Sequence, residues 1–183
     1  MKIKIIELKL TEDSNSFTKE LQPGITIFQG ANCSGKSLLF RVFAGLQRPY
    51  SGKIVYPYGA RRGAVFENPD DSLFFPRVID EIAWGVKDKT RVDEAMKILG
   101  VPANIEPMKL SYSERKLLSI ATLTFGPQVG LIDEPLRGLV GETKHKALQL
   151  IQWLHTFIPF IIVFTTPDDE LTRISDEVIE RWR

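Results

Sequence analysis

The sequence of 183 residues contains little cysteine, little net charge and no long apolar run. The single cysteine, Cys33, cannot form an internal disulfide, which excludes a disulfide-stapled fold and favours a reducing compartment. A formal net charge of +1 argues against a protein held to nucleic acid by bulk charge. The longest apolar stretch, residues 157–164, is interrupted by Pro159 and is far shorter than the ~20 residues of a membrane-spanning helix. We therefore expect neither a signal peptide nor a membrane span.

Apolar segments rich in β-branched residues alternate along the chain with segments of helical periodicity. This alternation predicts an α/β fold with a mostly parallel sheet flanked by helices. Strands are predicted at residues 2–10, 25–29, 53–56, 63–66, 129–133, 160–165 and 177–182. Helices are predicted at residues 36–46, 78–86, 91–99, 111–124, 142–157 and 168–174, and residues 11–19 are predicted to form a loop. The length predicts a single domain over residues 1–183, with a small helical lobe over residues 68–127.

The strongest motif is a glycine-rich segment between a predicted strand and a predicted helix. Residues 30–37 fit the pattern G-x-x-x-x-G-K-[ST] in full. Such a turn presents consecutive backbone N–H groups to phosphates, at a helix N-terminus that favours negative charge. We expect Lys36 to bridge the β- and γ-phosphates of a nucleotide and Ser37 to ligate Mg²⁺. The predicted nucleotide-binding residues are Gly30, Ala31, Asn32, Cys33, Ser34, Gly35, Lys36 and Ser37.

A second motif is an apolar strand, residues 129–133, that ends in the acids Asp133 and Glu134. Adjacent acids at a strand end are commonly solvated surface residues. Beside a phosphate loop, however, Asp133 would lie near the metal ion and Glu134 would polarise a water molecule at the γ-phosphate. The pair follows the glycine-rich segment by about a hundred residues, and its occurrence together with a phosphate loop favours the functional interpretation.

These motifs resemble those of ATP-binding cassette (ABC) ATPases. Residues 30–37 match the Walker A motif, and residues 129–134 match Walker B with its following glutamate. Residues 65–74 resemble the Q-loop region, residues 110–111 begin the signature motif, and residues 44–54 are typical of the family. Within residues 65–74, the run Asn-Pro-Asp-Asp and the following Leu-Phe are most similar to ATPases of energy-coupling-factor importers for vitamins and metal ions.

The resemblance implies a P-loop NTPase fold of ABC type, with ATP and Mg²⁺ as ligands. In this family two nucleotide-binding domains close head to tail on two ATP molecules, and closure drives a transmembrane partner. It therefore implies a second ABC ATPase subunit, identical or different, and a transmembrane transporter subunit, with a cytoplasmic position on the inner face of the cell membrane. Nucleic acid is not expected as a partner. Lys36, Ser37, Glu67 and Asp133 would bind Mg-ATP, and Glu134 would be the general base.

Four regions depart from the family pattern. Glu67 replaces the Q-loop glutamine, and it can still ligate Mg²⁺ but adds negative charge near the γ-phosphate. Tyr112 and Ser113 replace the two signature glycines, and Val140 replaces the D-loop aspartate. Pro167 replaces the histidine of the switch loop and offers no side-chain donor. Because the phosphate loop is intact and the groups that orient water are altered, we expect ATP binding with slow hydrolysis by the isolated chain.

Several single residues allow two interpretations. Cys33 is either a small residue tolerated in the loop or a thiol activated by the helix N-terminus. Phe17 is either an adenine-stacking residue or a residue packed on the core. Tyr112 either enters the gap beside the γ-phosphate bound by the partner subunit or turns into the core. Phe74 and Phe75 either form a docking surface for a transmembrane partner or pack beneath the helical lobe.

Three functions follow from these observations. The first is the ATP-binding subunit of a membrane transporter. The second is a soluble ABC-type ATPase in DNA maintenance or translation, although such proteins usually carry coiled coils or tandem cassettes, and these 183 residues contain neither. The third is a nucleotide-sensing regulatory subunit without useful turnover.

Overall fold

A computed structural model of the chain describes residues 1–180 and Trp182. The strands are β1 (Ile3–Lys9), β2 (Phe17–Leu21), β3 (Gly24–Gln29), β4 (Ser51–Val55), β5 (Arg62–Val65), β6 (Val129–Asp133), β7 (Phe160–Thr165) and β8 (Glu177–Ile179). The α-helices are α1 (Lys36–Ala44), α2 (Val78–Ala83), α3 (Lys89–Leu99), α4 (Tyr112–Ala121), α5 (Gly141–His155) and α6 (Asp169–Ile174). The last strand was predicted over residues 177–182 but ends at Ile179, and Arg181 lies outside the described residues.

A parallel sheet of five strands, in the order β5-β6-β7-β3-β8, forms the centre of the fold. Strands β6 and β7 are buried at every residue, as expected for a parallel sheet covered on both faces. Since the strands run in one direction, their carboxyl ends meet at a single edge of the sheet. The segments that follow β3, β6 and β7 therefore lie side by side, which brings the glycine-rich loop close to the two acids.

A second sheet is antiparallel and has the strand order β2-β1-β4. Strand β2 includes Phe17 and Lys19, in a segment that the sequence analysis predicted to be a loop. Only alternate residues of this strand are covered, so its composition resembles that of a polar turn. The Phe17 ring packs edge-on against Phe28, with ring centroids 6.3 Å apart, which supports the core interpretation of Phe17.

An aromatic cluster attaches α1 to one face of the parallel sheet. Phe164 of β7 lies 5.4 Å from Phe28, 5.6 Å from Phe40 and 5.5 Å from Phe43, measured between ring centroids. All four side chains are buried, and stacked or edge-on aromatic pairs add to the stability gained from burial alone. The cluster therefore fixes the helix that follows the glycine-rich loop onto strands β3 and β7.

A second core lies on the opposite face of the sheet, beneath α2, α3, α4 and α5. The first three of these helices lie between β5 and β6 in the chain, where the helical lobe was predicted. Helix α4 contacts α2, α3 and α5, so the helices bury their apolar faces against one another as well as against the sheet. Within the described residues, no helix is both long and apolar enough to cross a lipid bilayer.

Candidate active site

The glycine-rich loop forms one wall of a cavity of about 510 Å³ at the carboxyl edge of the sheet. The backbone of Cys33 and Gly35 is left-handed, with φ of 62° and 87°, which turns the chain tightly before α1 begins. The cavity is within the usual size range of small-molecule sites. It is lined by Asn32, Cys33, Ser34, Gly35, Lys36, Ser37 and Leu38 on one side and by Glu67, Glu134 and Arg137 on the other.

Lys36 connects the loop to the acidic strand end. Its Nζ donates hydrogen bonds to the carbonyl oxygens of Gly30 at 2.8 Å and Ala31 at 3.0 Å, and it lies 3.5 Å from Glu134 Oε1. The side chain is only 6% exposed. Gly30 and Ala31 thus contact the lysine through their carbonyls, whereas residues 32–37 line the cavity itself. The two motifs, about a hundred residues apart in sequence, form one site.

The three residues predicted to ligate Mg²⁺ line a second, adjoining cavity of about 310 Å³. They are Ser37, Glu67 and Asp133. Asp133 Oδ1 is buried and has no hydrogen-bond partner among the described residues. A buried, unpaired carboxylate oxygen is costly unless a cation satisfies it. Magnesium is usually held by one or two carboxylates, and phosphate oxygens and water complete its shell, so this donor set fits the ion.

The electrostatic environment of Asp133 supports the same conclusion. Burial, together with the charges of Glu134 and Glu67, raises the pKa of Asp133 to about 6, and Lys116 and Lys36 oppose this rise. The raised pKa means that the ionised carboxylate is under-compensated in the site. A divalent cation bound here would relieve this excess of negative charge.

Glu134 is oriented by the segment that follows β7. Its carboxylate accepts hydrogen bonds from the backbone N–H of Thr166 at 3.1 and 3.2 Å and from the Thr165 hydroxyl at 3.3 Å. The residue is buried and has a left-handed backbone, with φ of 46°. Pro167, the next residue after Thr166, is exposed and has no side-chain donor. The structure therefore holds the Glu134 carboxylate in place but has a proline, not a histidine, at the predicted switch position.

The start of the signature helix α4 is shaped by a capping box, as its sequence predicts. The Ser111 hydroxyl accepts from the Glu114 backbone N–H, and the Glu114 carboxylate accepts from both the Ser111 N–H and its hydroxyl. Tyr112 is 43% exposed and lines the same cavity as Asp133. A Cβ placed on Gly138 would lie 3.3 Å from the Tyr112 ring. Tyr112 thus lies beside the site, and the alternative that it turns into the core is wrong.

Sequence reasoning did not identify two basic residues of the site, Lys116 and Arg137. Arg137 Nη1 lies 2.5 Å from Glu67 Oε1. Lys116 is completely buried, and its Nζ donates to the carbonyl oxygen of Glu67. One signal in the sequence indicated that basic residues would be needed here, the extra carboxylate at position 67. A third acid beside Asp133 and Glu134 requires nearby positive charge.

Lys116 is expected to make the stability of the fold depend on pH. Burial lowers the pKa of Lys116 from 10.5 to about 8, and the positive charge of Arg137 lowers it further. The negative charges of nearby acids oppose this shift; these are Glu67, Asp133 and Glu134. Between these two pH values the unfolded chain holds more protons than the folded chain, so stability rises as the pH rises from 8 towards 10. Lys116→Met is expected to remove this rise, which amounts to about 2 kcal/mol.

Urea unfolding of the wild type and the variant at pH 7.5 to 10 measures the difference. Lys97→Met, which changes an exposed lysine of α3, is the matched control and should keep the wild-type slope. Parallel pH profiles for the wild type and Lys116→Met would show that Lys116 is not the group responsible.

Comparisons with known proteins agree with this geometry. The ABC transporter family profile matches residues 15–137. The chain is similar to the energy-coupling factor transporter ATP-binding protein EcfA of Methanoculleus marisnigri, with 34% identity over 82% of this chain and 62% of that protein. It is also similar to EcfA of Methanocaldococcus jannaschii, with 32% identity over 81% of this chain and 62% of that protein.

Solved structures show the same likeness. The structure of CbiO1 from Clostridium perfringens, part of the ABC transporter complex CbiONQ, superimposes with a TM-score of 0.79 and 25% identity. The alignment covers 97% of this chain and 83% of that chain.

The chain spans 62% of the length of the two EcfA relatives. The profile match covers more than half of the chain, and the site unites the Walker A and Walker B motifs, so the chain belongs to the ABC transporter ATP-binding protein family, whose members are ABC ATPases.

Proposed function

We propose that the chain is the ATP-binding subunit of an ABC-type membrane transporter. It binds Mg-ATP and hydrolyses it slowly to drive a conformational change in a transmembrane partner. The observation that supports this most is the 3.5 Å approach of Lys36 Nζ to Glu134 Oε1 inside the cavity beside the glycine-rich loop. In this proposal residues 1–183 form a single ABC-type domain, and residues 68–127 form its helical subdomain.

Each part of the site has a role in this chemistry. The backbone N–H groups of residues 30–37 and the Lys36 ammonium bind the phosphates. Ser37, Glu67 and Asp133 hold Mg²⁺, which neutralises phosphate charge when it is bound. Glu134, oriented by the Thr166 N–H, takes the proton from the attacking water at its carboxylate.

The same contacts support slow turnover by the isolated chain. The Glu134 carboxylate already interacts with Lys36 and Thr166, so an attacking water molecule has to compete with these partners for its oxygens. Pro167 cannot hold that water from the opposite side, because it has no side-chain donor. At position 112 the family has a glycine. Here the Tyr112 ring occupies that place and lies close to Gly138. Water positioning is therefore the weakest part of this site.

A second ABC ATPase subunit, identical or different, would complete the assembly. Tyr112 and Val140 lie on the exposed surface beside the site, with 43% and 79% exposure. Val140 is apolar where the family has a charged residue, so a partner would meet a more apolar surface here. This surface is the proposed dimer face.

An exposed aromatic patch supports a transmembrane partner. Phe74 is 81% exposed and Trp84 is 61% exposed, and they flank a groove of about 180 Å³. The buried Glu81 carboxylate accepts the backbone N–H groups of Phe74 and Phe75, which fixes the turn that presents Phe74 outwards. Exposed apolar patches of this kind mark interaction sites. Docking here would place the chain in the cytoplasm, on the inner face of the membrane.

Co-purification tests the proposed function. The tagged chain should isolate together with an integral membrane protein from detergent-solubilised membranes, and the complex should bind and hydrolyse ATP. Phe74→Asp is expected to reduce the recovered membrane partner by about tenfold, because it places a charge in the apolar contact. Tyr58→Asp, at an aromatic residue that is fully exposed elsewhere on the surface, is the matched control and should not reduce it.

Two other outcomes would contradict the proposal. Co-purification of nucleic acid instead of a membrane protein would favour a soluble ATPase in DNA maintenance or translation. ATP binding without turnover, even in the presence of a partner ATPase, would favour a regulatory nucleotide sensor.

A further inference from the structure

Arg137 and Glu67 form an ion pair across the mouth of the phosphate cavity. Arg137 Nη1 lies 2.5 Å from Glu67 Oε1, although the residues are 70 positions apart in sequence. Arg137 lines the cavity beside the glycine-rich loop, and it also lines an adjoining cavity of about 170 Å³ that includes Thr166 and Asp168. The guanidinium is thus located between the phosphate loop and the segment that contains Pro167.

The charges of the site show which cation is free to move. The acids Glu67, Asp133 and Glu134 lie close to three cations, Lys36, Lys116 and Arg137. Lys36 is buried and bonded to two loop carbonyls, and Lys116 is buried against the Glu67 carbonyl. Of these three cations only Arg137 is well exposed, at 57%, and its partner Glu67 is 42% exposed. An exposed ion pair of this kind is weak and exchanges readily.

We propose that Arg137 binds the terminal phosphate of ATP and that Glu67 holds the guanidinium at the cavity mouth until the nucleotide binds. This inference rests on the proposed function. A guanidinium forms charge-assisted, paired hydrogen bonds with phosphate, which are stronger than an exposed contact with a carboxylate. The exchange also frees the Glu67 carboxylate for the cavity that it shares with Ser37 and Asp133. Arg137 then supplies positive charge beside Pro167, which has no donor of its own.

The test compares the affinities of ATP and ADP, which differ only in the terminal phosphate. Dissociation constants are measured by competition with a fluorescent nucleotide, once with Mg²⁺ and once with EDTA. Arg137→Ala is expected to weaken ATP binding by about tenfold and ADP binding by less than about twofold, under both conditions. Arg137→Lys should recover part of the ATP affinity, because it keeps the charge but loses the paired geometry.

Substitution of Glu67 tests whether this residue holds the Arg137 guanidinium at the cavity mouth. Glu67→Gln should increase the preference for ATP over ADP by about threefold, because Arg137 no longer has a competing partner. In an Arg137→Ala background the same Glu67 change should have a clearly smaller effect, because only the direct repulsion between the carboxylate and the phosphate is then relieved. Arg77→Ala, which breaks an exposed guanidinium–carboxylate pair with Asp80 in the helical lobe, is the matched control and should leave both affinities unchanged.

The outcomes separate this inference from the proposed function. If the wild-type chain binds neither nucleotide, the proposed function and this inference both fail. If the wild type binds both nucleotides and Arg137→Ala weakens them equally, or weakens neither, the proposed function stands and the role of Arg137 is wrong. An equal effect of Glu67→Gln with and without Arg137 would overturn the proposed coupling between the two residues.

Discussion

Replacing Lys36 with alanine is expected to abolish ATP binding by the purified chain. The lysine is the only cation that contacts both the glycine-rich loop and the acid Glu134 in the described part of the chain. Its ammonium would make charge-assisted hydrogen bonds with two phosphate groups, and the loss of two such bonds lowers the affinity by about 100-fold or more. Isothermal titration calorimetry with Mg-ATP measures this loss.

The result is informative only if the variant folds. Lys36 is bonded to the carbonyls of Gly30 and Ala31, so circular dichroism and urea unfolding of Lys36→Ala must accompany the titration. Lys53→Ala, at an exposed lysine of β4, removes the same charge elsewhere and should bind ATP like the wild type. Folded Lys36→Ala that keeps wild-type affinity would contradict the assignment of residues 30–37 as the phosphate loop.

The second large effect is expected from Glu134→Gln. The glutamine keeps the size of the side chain and can still accept the Thr166 N–H, but it cannot take a proton from water at neutral pH. Turnover should fall by about 100-fold or more, while ATP affinity stays within about threefold of the wild type. Release of inorganic phosphate and nucleotide titration measure the two quantities separately.

Glu12→Gln makes the same chemical change at an exposed position away from the site and should leave turnover unchanged. If Glu134→Gln hydrolyses ATP at the wild-type rate, Glu134 is not the general base. If both turnover and affinity fall together, the side chain instead maintains the shape of the site through its contacts with Lys36 and Thr166.

The parts of the fold that the sequence predicted are those with strong local patterns. Strands β6 and β7 are continuous apolar runs, and the structure keeps both within their predicted bounds. The capping box of Ser111 and Glu114 is a short-range pattern, and it is confirmed. Helix α1 ends two residues before its predicted end at Leu46, because Gly45 adopts a left-handed backbone and caps it.

The features that the sequence did not predict depend on distant partners. Strand β2 is polar on its exposed face and is recognisable only from its pairing with β1. Arg137 contacts a residue 70 positions away, and Lys116 contacts a carbonyl 49 positions away. No local periodicity encodes such contacts, so these two basic residues of the site were visible only in the folded chain.

The aromatic cluster around Phe164 has a consequence for how the two halves of the site keep their alignment. Phe164 immediately precedes Thr165 and Thr166, which orient Glu134, and the same ring packs on Phe40 and Phe43 of the helix that begins with Lys36. The rigid Phe164 side chain therefore connects the glycine-rich loop and its helix to the segment that orients Glu134. A shift of one motif relative to the other would open a void among these densely packed aromatic rings. Buried contacts beneath the site, which neither solvent nor substrate touches, therefore maintain the alignment.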